Sequence, residues 1–196
     1  MPIRSFRLAA AVVAAISLSF GCGSGDQMAD TRFDTRIARP AFTSRHPRVE
    51  IDQAHHNFHT MTGRYLPFAE LIRHDGCQVV AGTQPFSAAS LDGLDILVIS
   101  NALGDEKMDS SAALNPAFTA AECAAVRSWV EAGGSLLLIA DHSPMGSAAR
   151  GMGGVFGVDM RNSYTIDKVQ GDHRSPTNIT YLPGAGLDTL HAIVRG

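Results

Sequence analysis

The sequence predicts an α/β domain: a mostly parallel sheet covered by helices. Three observations carry this. Residues 136–140 (LLLIA) and 95–100 (DILVIS) are apolar runs with no polar alternation, as in strands buried on both faces. Strand-like and helix-like stretches alternate from residue 48 to about residue 156, the pattern of a helix-covered parallel sheet. The helices also carry clear start and stop signals, best seen in Thr119 and Glu122 before one of them and Gly133 after it.

Residues 48–52 (RVEID) form the expected first strand. Residues 55–63, with Asn57, Thr60 and Gly63, read as a polar loop. A helix is expected over 67–74, with Pro67 at its first position, Phe68, Leu71 and Ile72 on one face, and Gly76 closing it. Residues 77–81 (CQVVA) are the second strand, 83–93 a connector and 95–100 the third strand. Residues 101–115 form a long polar loop.

The next helix is capped by Thr119 and Glu122 and buries Cys123, Val126, Trp129 and Val130. The run at 136–140 is expected as a core strand. Ser143-Pro144 then reads as a helix start, with Ser143 as N-cap and Pro144 at the first helical position, on a helix reaching about Phe156 and weakened by Gly146, Gly151, Gly153 and Gly154. Short strands are expected within 158–166, 179–182 and 190–194. The chain stops without a closing helix, which points to a C-terminal truncation.

The N-terminus reads as a targeting segment. Arg4 and Arg7 precede the apolar stretch 8–20, which is short for a membrane span, and Gly21-Cys22 follows. This is similar to a bacterial lipoprotein signal with Cys22 as the lipidated residue; simple secretion and an uncleaved anchor are the alternatives. The expected organisation is a signal peptide at 1–22, a linker at 23–47 and one domain at 48–196. The cell envelope, on its periplasmic side, is the expected location, with the lipid on Cys22 as the membrane contact.

Of the 196 residues, 45% are hydrophobic and 18% charged, so the chain can bury a core. The net charge of −3 and the lack of a basic stripe speak against nucleic-acid binding. Cys77 and Cys123 are expected as free thiols. One opens a strand at the amino end of the sheet, and the other sits in a helix starting near the carboxyl end, beyond the reach of a disulfide.

Four of the eight histidines fall between residues 45 and 60. Asp52 and His55 stand at the end of the first strand, and Asp141 and His142 at the end of the run at 136–140. In open α/β sheets ligands bind outside the carboxyl ends of strands, so the two tips are expected to face one crevice. Asp52, His55, Asp141 and His142 are a plausible donor set for zinc or another divalent metal, and are also the candidates for metal-free acid/base catalysis. The plain alternative is that Asp141 accepts backbone N–H bonds and the histidines hydrogen-bond across the sheet end. His59, Asn101, Asp141, His142 and Ser143 are the ligand-binding candidates. Ser143 makes a poor elbow nucleophile, because Pro144 lacks the N–H that an oxyanion hole needs there and the flanking glycines are absent. The helix start at Pro144 is a further candidate for holding an anion, although Asp141 beside it would repel one.

Residues 49–60 (VEIDQAHHNFHT), 95–102 (DILVISNA), 129–142 (WVEAGGSLLLIADH) and 191–196 (HAIVRG) together resemble an uncharacterised bacterial family within the class I glutamine-amidotransferase-like superfamily. The resemblance implies a flavodoxin-like three-layer sandwich. It also implies a Cys nucleophile just after the strand at 136–140, where this chain has Ala140, Asp141 and His142. Glutaminase activity is therefore not expected, and no catalytic role is carried over to His191. The expected function is an envelope domain that binds a small molecule or an envelope polymer. An envelope hydrolase, metal-assisted or not, using Asp52, His55, Asp141 and His142 is the alternative, and an assembly scaffold is a third.

Overall fold

The computed structural model describes residues 28–141, 143–163, 181–184, 186–191 and 193–194. The leader with Cys22, His142 and the stretch from 164 to 180 lie outside the described residues. Four strands, β1 (Arg48–Asp52), β2 (Gln78–Gly82), β3 (Ile96–Ser100) and β4 (Ser135–Ile139), form a sheet in the order β2-β1-β3-β4. Every pairing in it is parallel: Val49 lies beside Val79 and Ile96, and Leu97 beside Leu136. The chain leaves β1 toward one side of the sheet and returns on the other. The topological switch therefore falls between β1 and β3.

Helix α1 (Leu66–His74) carries Pro within its first two positions, as expected. Its end is set by backbone geometry. Gly76 sits at φ +100°, its N–H donates to Arg73 O (2.9 Å), and the Cys77 N–H donates to Ile72 O (3.0 Å). This paired closure needs a residue tolerant of positive φ, hence glycine. Helix α2 (Ala120–Glu131) ends in the same way. Gly133 is at φ +110°, its N–H reaches Val130 O (2.9 Å), and the Gly134 N–H reaches Trp129 O (3.0 Å). At its start the Thr119–Glu122 capping box is present in full.

Strand alternation sorts the core onto two faces. Val49, Ile51 and Val98 point toward α1 and pack with Ala69, Phe68 and Ile72. Leu97 and Ile99 point the other way and pack with Cys123 and Val126 of α2, Phe86, Leu91 and Met152. Between β2 and β3 the connector has no helix. Phe86, Leu91 and Leu94 anchor it in the α2-side core instead. Cys77 and Cys123 are both free thiols.

Three expectations are corrected. β4 is not buried on both faces: it is the edge of the sheet among the described residues. Leu136 and Leu138 pack into the α2-side core, while Leu137 faces the α1 side and is 45% exposed. An unbroken apolar run shows that a strand is apolar, not that both its faces are covered. α1 packs against β2, at the opposite edge, so the far end of its face stays open over Leu137. The strands buried on both faces are β1 and β3.

The helix expected from Pro144 is two short turns, α3 (Met145–Ala148) and α4 (Arg150–Gly154). The cap position is Pro144 rather than Ser143, with no side-chain cap bond, and the Ser143–Pro144 peptide is cis. A helix of four residues offers little dipole for the anion site considered above. Toward the C-terminus, residues 158–163 form no strand, and 190–191 and 193–194 are exposed turn rather than strand. Of the strand expected at 179–182, residues 179–180 lie outside the described residues, and Leu182 belongs to a two-residue pairing of β5 (Leu182–Pro183) with β6 (Gly186–Leu187).

The segment expected as a linker is docked over part of its length. His74 Nδ1 lies 2.8 Å from Thr35 O, the Phe42 N–H donates to Asp75 O (3.0 Å), and His46 Nδ1 lies 2.7 Å from Gly76 O.

Candidate functional site

At the carboxyl end of the sheet the loops after β1 and β3 run side by side. Two backbone bonds join them: Phe58 N–H to Asn101 O (2.9 Å) and Leu103 N–H to His55 O (3.0 Å). His56 and Asn101 both adopt left-handed backbone, at φ +49° and +52°. His and Asn are among the few non-glycine residues enriched there. These two turns fix what each loop points inward and what it leaves toward solvent.

Pointing inward is a closed polar bracket. Alternation along β1 places Asp52 on the α2 face, opposite Ile51. Its carboxylate lies 2.9 Å from His55 Nδ1 by either oxygen and accepts from Asn57 Nδ2 (2.9 Å) and the Ala54 N–H (3.1 Å). On the other side, His55 Nε2 meets Glu122 Oε1 at 2.8 Å. Glu122 is the acid of the capping box, so its Oε2 also accepts from the Thr119 N–H and hydroxyl (2.9 and 2.7 Å), and Oε1 accepts from the Phe86 N–H (3.2 Å). Phe86 and Phe118 flank the imidazole, with ring centroids 4.6 and 4.7 Å away. Asp52, His55 and Glu122 are 0%, 6% and 8% exposed.

A neutral imidazole has one N–H and would turn a lone pair toward one of the two carboxylates. The arrangement therefore holds the imidazolium. Burial pushes the His55 pKa down, but the hydrogen bonds and charges of Asp52 and Glu122 outweigh it and leave the ring above its ordinary value. Burial likewise pushes Glu122 up, and its bonds to Thr119 and His55 bring it down to about 2. Both ring nitrogens are thus committed to carboxylates, and neither is presented to solvent as a base or a ligand.

A second group surrounds the tip of β3. Ser100 Oγ lies 2.9 Å from His59 Nδ1 and donates to Tyr65 Oη (2.9 Å), and the rings of His59 and Tyr65 stack at 4.5 Å. Asn101 pairs with Asp141 in both directions: Asn101 Nδ2 donates to Asp141 Oδ1 (2.8 Å) and the Asp141 N–H donates to Asn101 Oδ1 (3.2 Å). Asn101 Nδ2 also lies 3.3 Å from His59 Nδ1.

The structure therefore divides the four expected catalytic or metal-binding residues. Asp52 and His55 belong to the bracket, Asp141 belongs to the Asn101 group, and His142 lies outside the described residues. β3 stands between β1 and β4, so the two tips are two strand spacings apart, about 10 Å. Among the described residues no group of three or more His, Cys, Asp or Glu side chains is arranged to hold a metal ion. Of the ligand-binding candidates, His59, Asn101 and Asp141 are brought together, and Ser143 makes no cap bond with the helix beside it.

On the solvent side of the two loops lies a cavity of about 380 Å³. Gln53, His56, Asn57, Phe58 and Arg64 line it from the first loop, and Leu103, Glu106 and Met108 from the second. Arg64 lies over the Phe58 ring, 3.8 Å from its centroid, and its Nη1 donates to Phe58 O (3.2 Å). Larger concavities exist away from this end of the sheet. One of about 680 Å³ lies between the β2–β3 connector and α2 and is lined largely by alanines with Trp129; one of about 470 Å³ lies under β4 and is lined by leucines. Neither gathers convergent polar groups.

Sequence reasoning missed Glu122 as the partner of His55, and missed Arg64 and Gln53 altogether. The alternation that puts Asp52 on the α2 face was a usable signal for Glu122, the one acid in the first turn of α2. Arg64 and Gln53 carry no local signal beyond their place in the loop after β1. Comparison with protein-family models, with curated proteins and with solved structures finds no match to this chain.

Proposed function

We propose that this chain is a ligand-binding domain whose site is the crevice at the β1/β3 switch point. The carrying observation is the division of labour in the loop after β1. Asp52 and His55 are consumed in a buried bracket that fixes the loop, Asn57 joins that bracket to the cavity wall, and Gln53, His56 and Arg64 of the same loop line an open cavity. A rigid frame presenting a few polar groups around a concave, partly apolar floor is what small-molecule sites share. Position supports the same reading, since ligands of open α/β sheets sit outside the strand ends at the switch point.

The order β2-β1-β3-β4 agrees with the first four strands of the flavodoxin-like order, and apolar clusters on both faces are compatible with a three-layer sandwich. This supports, at the level of architecture, the likeness to the glutamine-amidotransferase-like superfamily. Ala140-Asp141 at the end of β4 supplies no thiol, in keeping with a domain without glutaminase chemistry. The lipoprotein-like leader suggests an envelope domain tethered through Cys22. No helix of the described residues is long and apolar enough to cross a membrane. The hydrolase reading gains no support from the bracket, because the groups it would use as base or ligand are occupied by one another.

The test is methyl-resolved NMR on the protein, titrated with small envelope-type solutes: hexoses, amino sugars, sugar acids and short hydroxy acids. Perturbation of the Leu103 and Met108 methyls supports the crevice. Perturbation confined to the leucine-lined groove under β4, or none at all, contradicts it.

A further inference from the structure

Resting on that reading of the crevice, we infer that its ligand is a small hydroxylated monocarboxylate, held by the Nε/Nη2 edge of Arg64. Arg64 uses only one part of its guanidinium within the protein. Nη1 donates to Phe58 O, Nη2 has no partner among the described residues, and Nε is buried without a partner among them. An unpaired buried donor is costly and uncommon in native structures.

Nε and Nη2 together form the fork that takes both oxygens of a carboxylate. The same edge is used elsewhere in this chain: Arg36 Nε and Nη2 donate to the two oxygens of Asp34 at 2.8 and 2.7 Å. In Arg64 the equivalent edge has no hydrogen-bond partner among the described residues. The face of the guanidinium rests on Phe58, and Nη1 is tied to the backbone, so the plane is already oriented and loses little freedom when an acceptor arrives.

The other lining groups narrow the class. Gln53 Oε1 accepts from the Met61 N–H (2.9 Å), which fixes the amide and leaves its Nε2 as a second donor without a partner among the described residues. Glu106 is an acceptor suited to a hydroxyl. With a single guanidinium in the lining, a doubly charged phosphate is disfavoured. Phe58, Leu103 and Met108 supply the apolar floor against which a short carbon chain packs.

The experiment measures affinity by NMR of the Met108 methyl with three matched pairs: gluconate and gluconamide, glucuronate and glucuronamide, lactate and lactamide. At least one acid should bind more tightly than its amide. It should lose about tenfold or more in Arg64→Gln and recover only partly in Arg64→Lys, which keeps the charge without the fork. The Arg64 Nε–Hε resonance should shift with the acid and not with the amide, a signature that a merely structural arginine would not give. Amides that bind the crevice as well as the acids, or acids indifferent to Arg64→Gln, overturn the carboxylate assignment and leave the crevice reading standing. Failure of every acid and amide to perturb the crevice overturns both.

Discussion

His55 Nε2 meets Glu122 Oε1 at 2.8 Å across 67 residues of chain, tying the loop after β1 to the first turn of α2. The same Glu122 closes the α2 capping box. These two duties have different energies. A cap alone contributes about 1 kcal/mol, whereas removing one partner of a buried charged pair costs about 3–5 kcal/mol. Chemical denaturation should therefore show Thr119→Ala losing about 1 kcal/mol and Glu122→Ala about 3 kcal/mol or more. Equal losses would mean that Glu122 is only a cap.

The bracket also sets a pH window. His55 is held above its ordinary value of 6.5 in the folded state. Its contribution is complete below about 6.5 and is lost as pH rises through the folded value. Glu122 is held at about 2 against an ordinary 4.5, so its contribution is complete above about 4.5 and is lost as pH falls toward 2. The bracket is thus strongest between about 4.5 and 6.5. Thermal melts across pH should show the alkaline decline flatten in His55→Gln; a decline of unchanged slope would remove His55 as its source.

Glu50 behaves in the opposite sense. Burial first, and the negative charge of Asp52 second, push its pKa up against the opposing pull of Arg48. An acid raised in the folded state destabilises it as pH climbs from 4.5 through the folded value. Glu50→Gln should raise the melting temperature at pH 7 and should have little effect near pH 4. No gain at pH 7 would show that the carboxylate finds compensation in the fold.

The elements that the sequence declared were those whose signals are local. Thr119 and Glu122 are three residues apart and satisfy one another, and Gly76 and Gly133 close helices by bonds reaching back only a few residues. Pairing order is not local. LLLIA reads as buried on both faces, yet β4 lies at the sheet edge with Leu137 open, because coverage depends on where α1 packs. The expected union of Asp52 and His55 with Asp141 failed for the same reason: β3 stands between β1 and β4. Sequence placed Asp52, His55, His59, Asn101 and Asp141 correctly at the carboxyl end of the sheet. It could not assign their partners, since His55 reaches Glu122 and Asn101 reaches Asp141 across long separations.

The position of β4 gives a contrast in core sensitivity. Leu137→Thr should change stability by no more than about 0.5 kcal/mol, the range of surface substitutions. Leu97→Ala, fully buried in the adjacent strand, should cost about 2–5 kcal/mol. A Leu137→Thr loss comparable to that of Leu97→Ala would mean that the open face of β4 is covered in solution.

The crevice itself is tested most directly by filling it. Met108 lines the cavity and is 40% exposed, so Met108→Trp occupies the space without touching the core. The measurement is the affinity of the wild-type and Met108→Trp proteins for the gluconate, glucuronate and lactate pairs, read beside the melting temperature. A crevice site predicts binding to the wild type, an unchanged melting temperature in the variant, and affinity reduced about tenfold or more. Equal affinity in a folded Met108→Trp protein would place the binding site somewhere other than between the tips of β1 and β3.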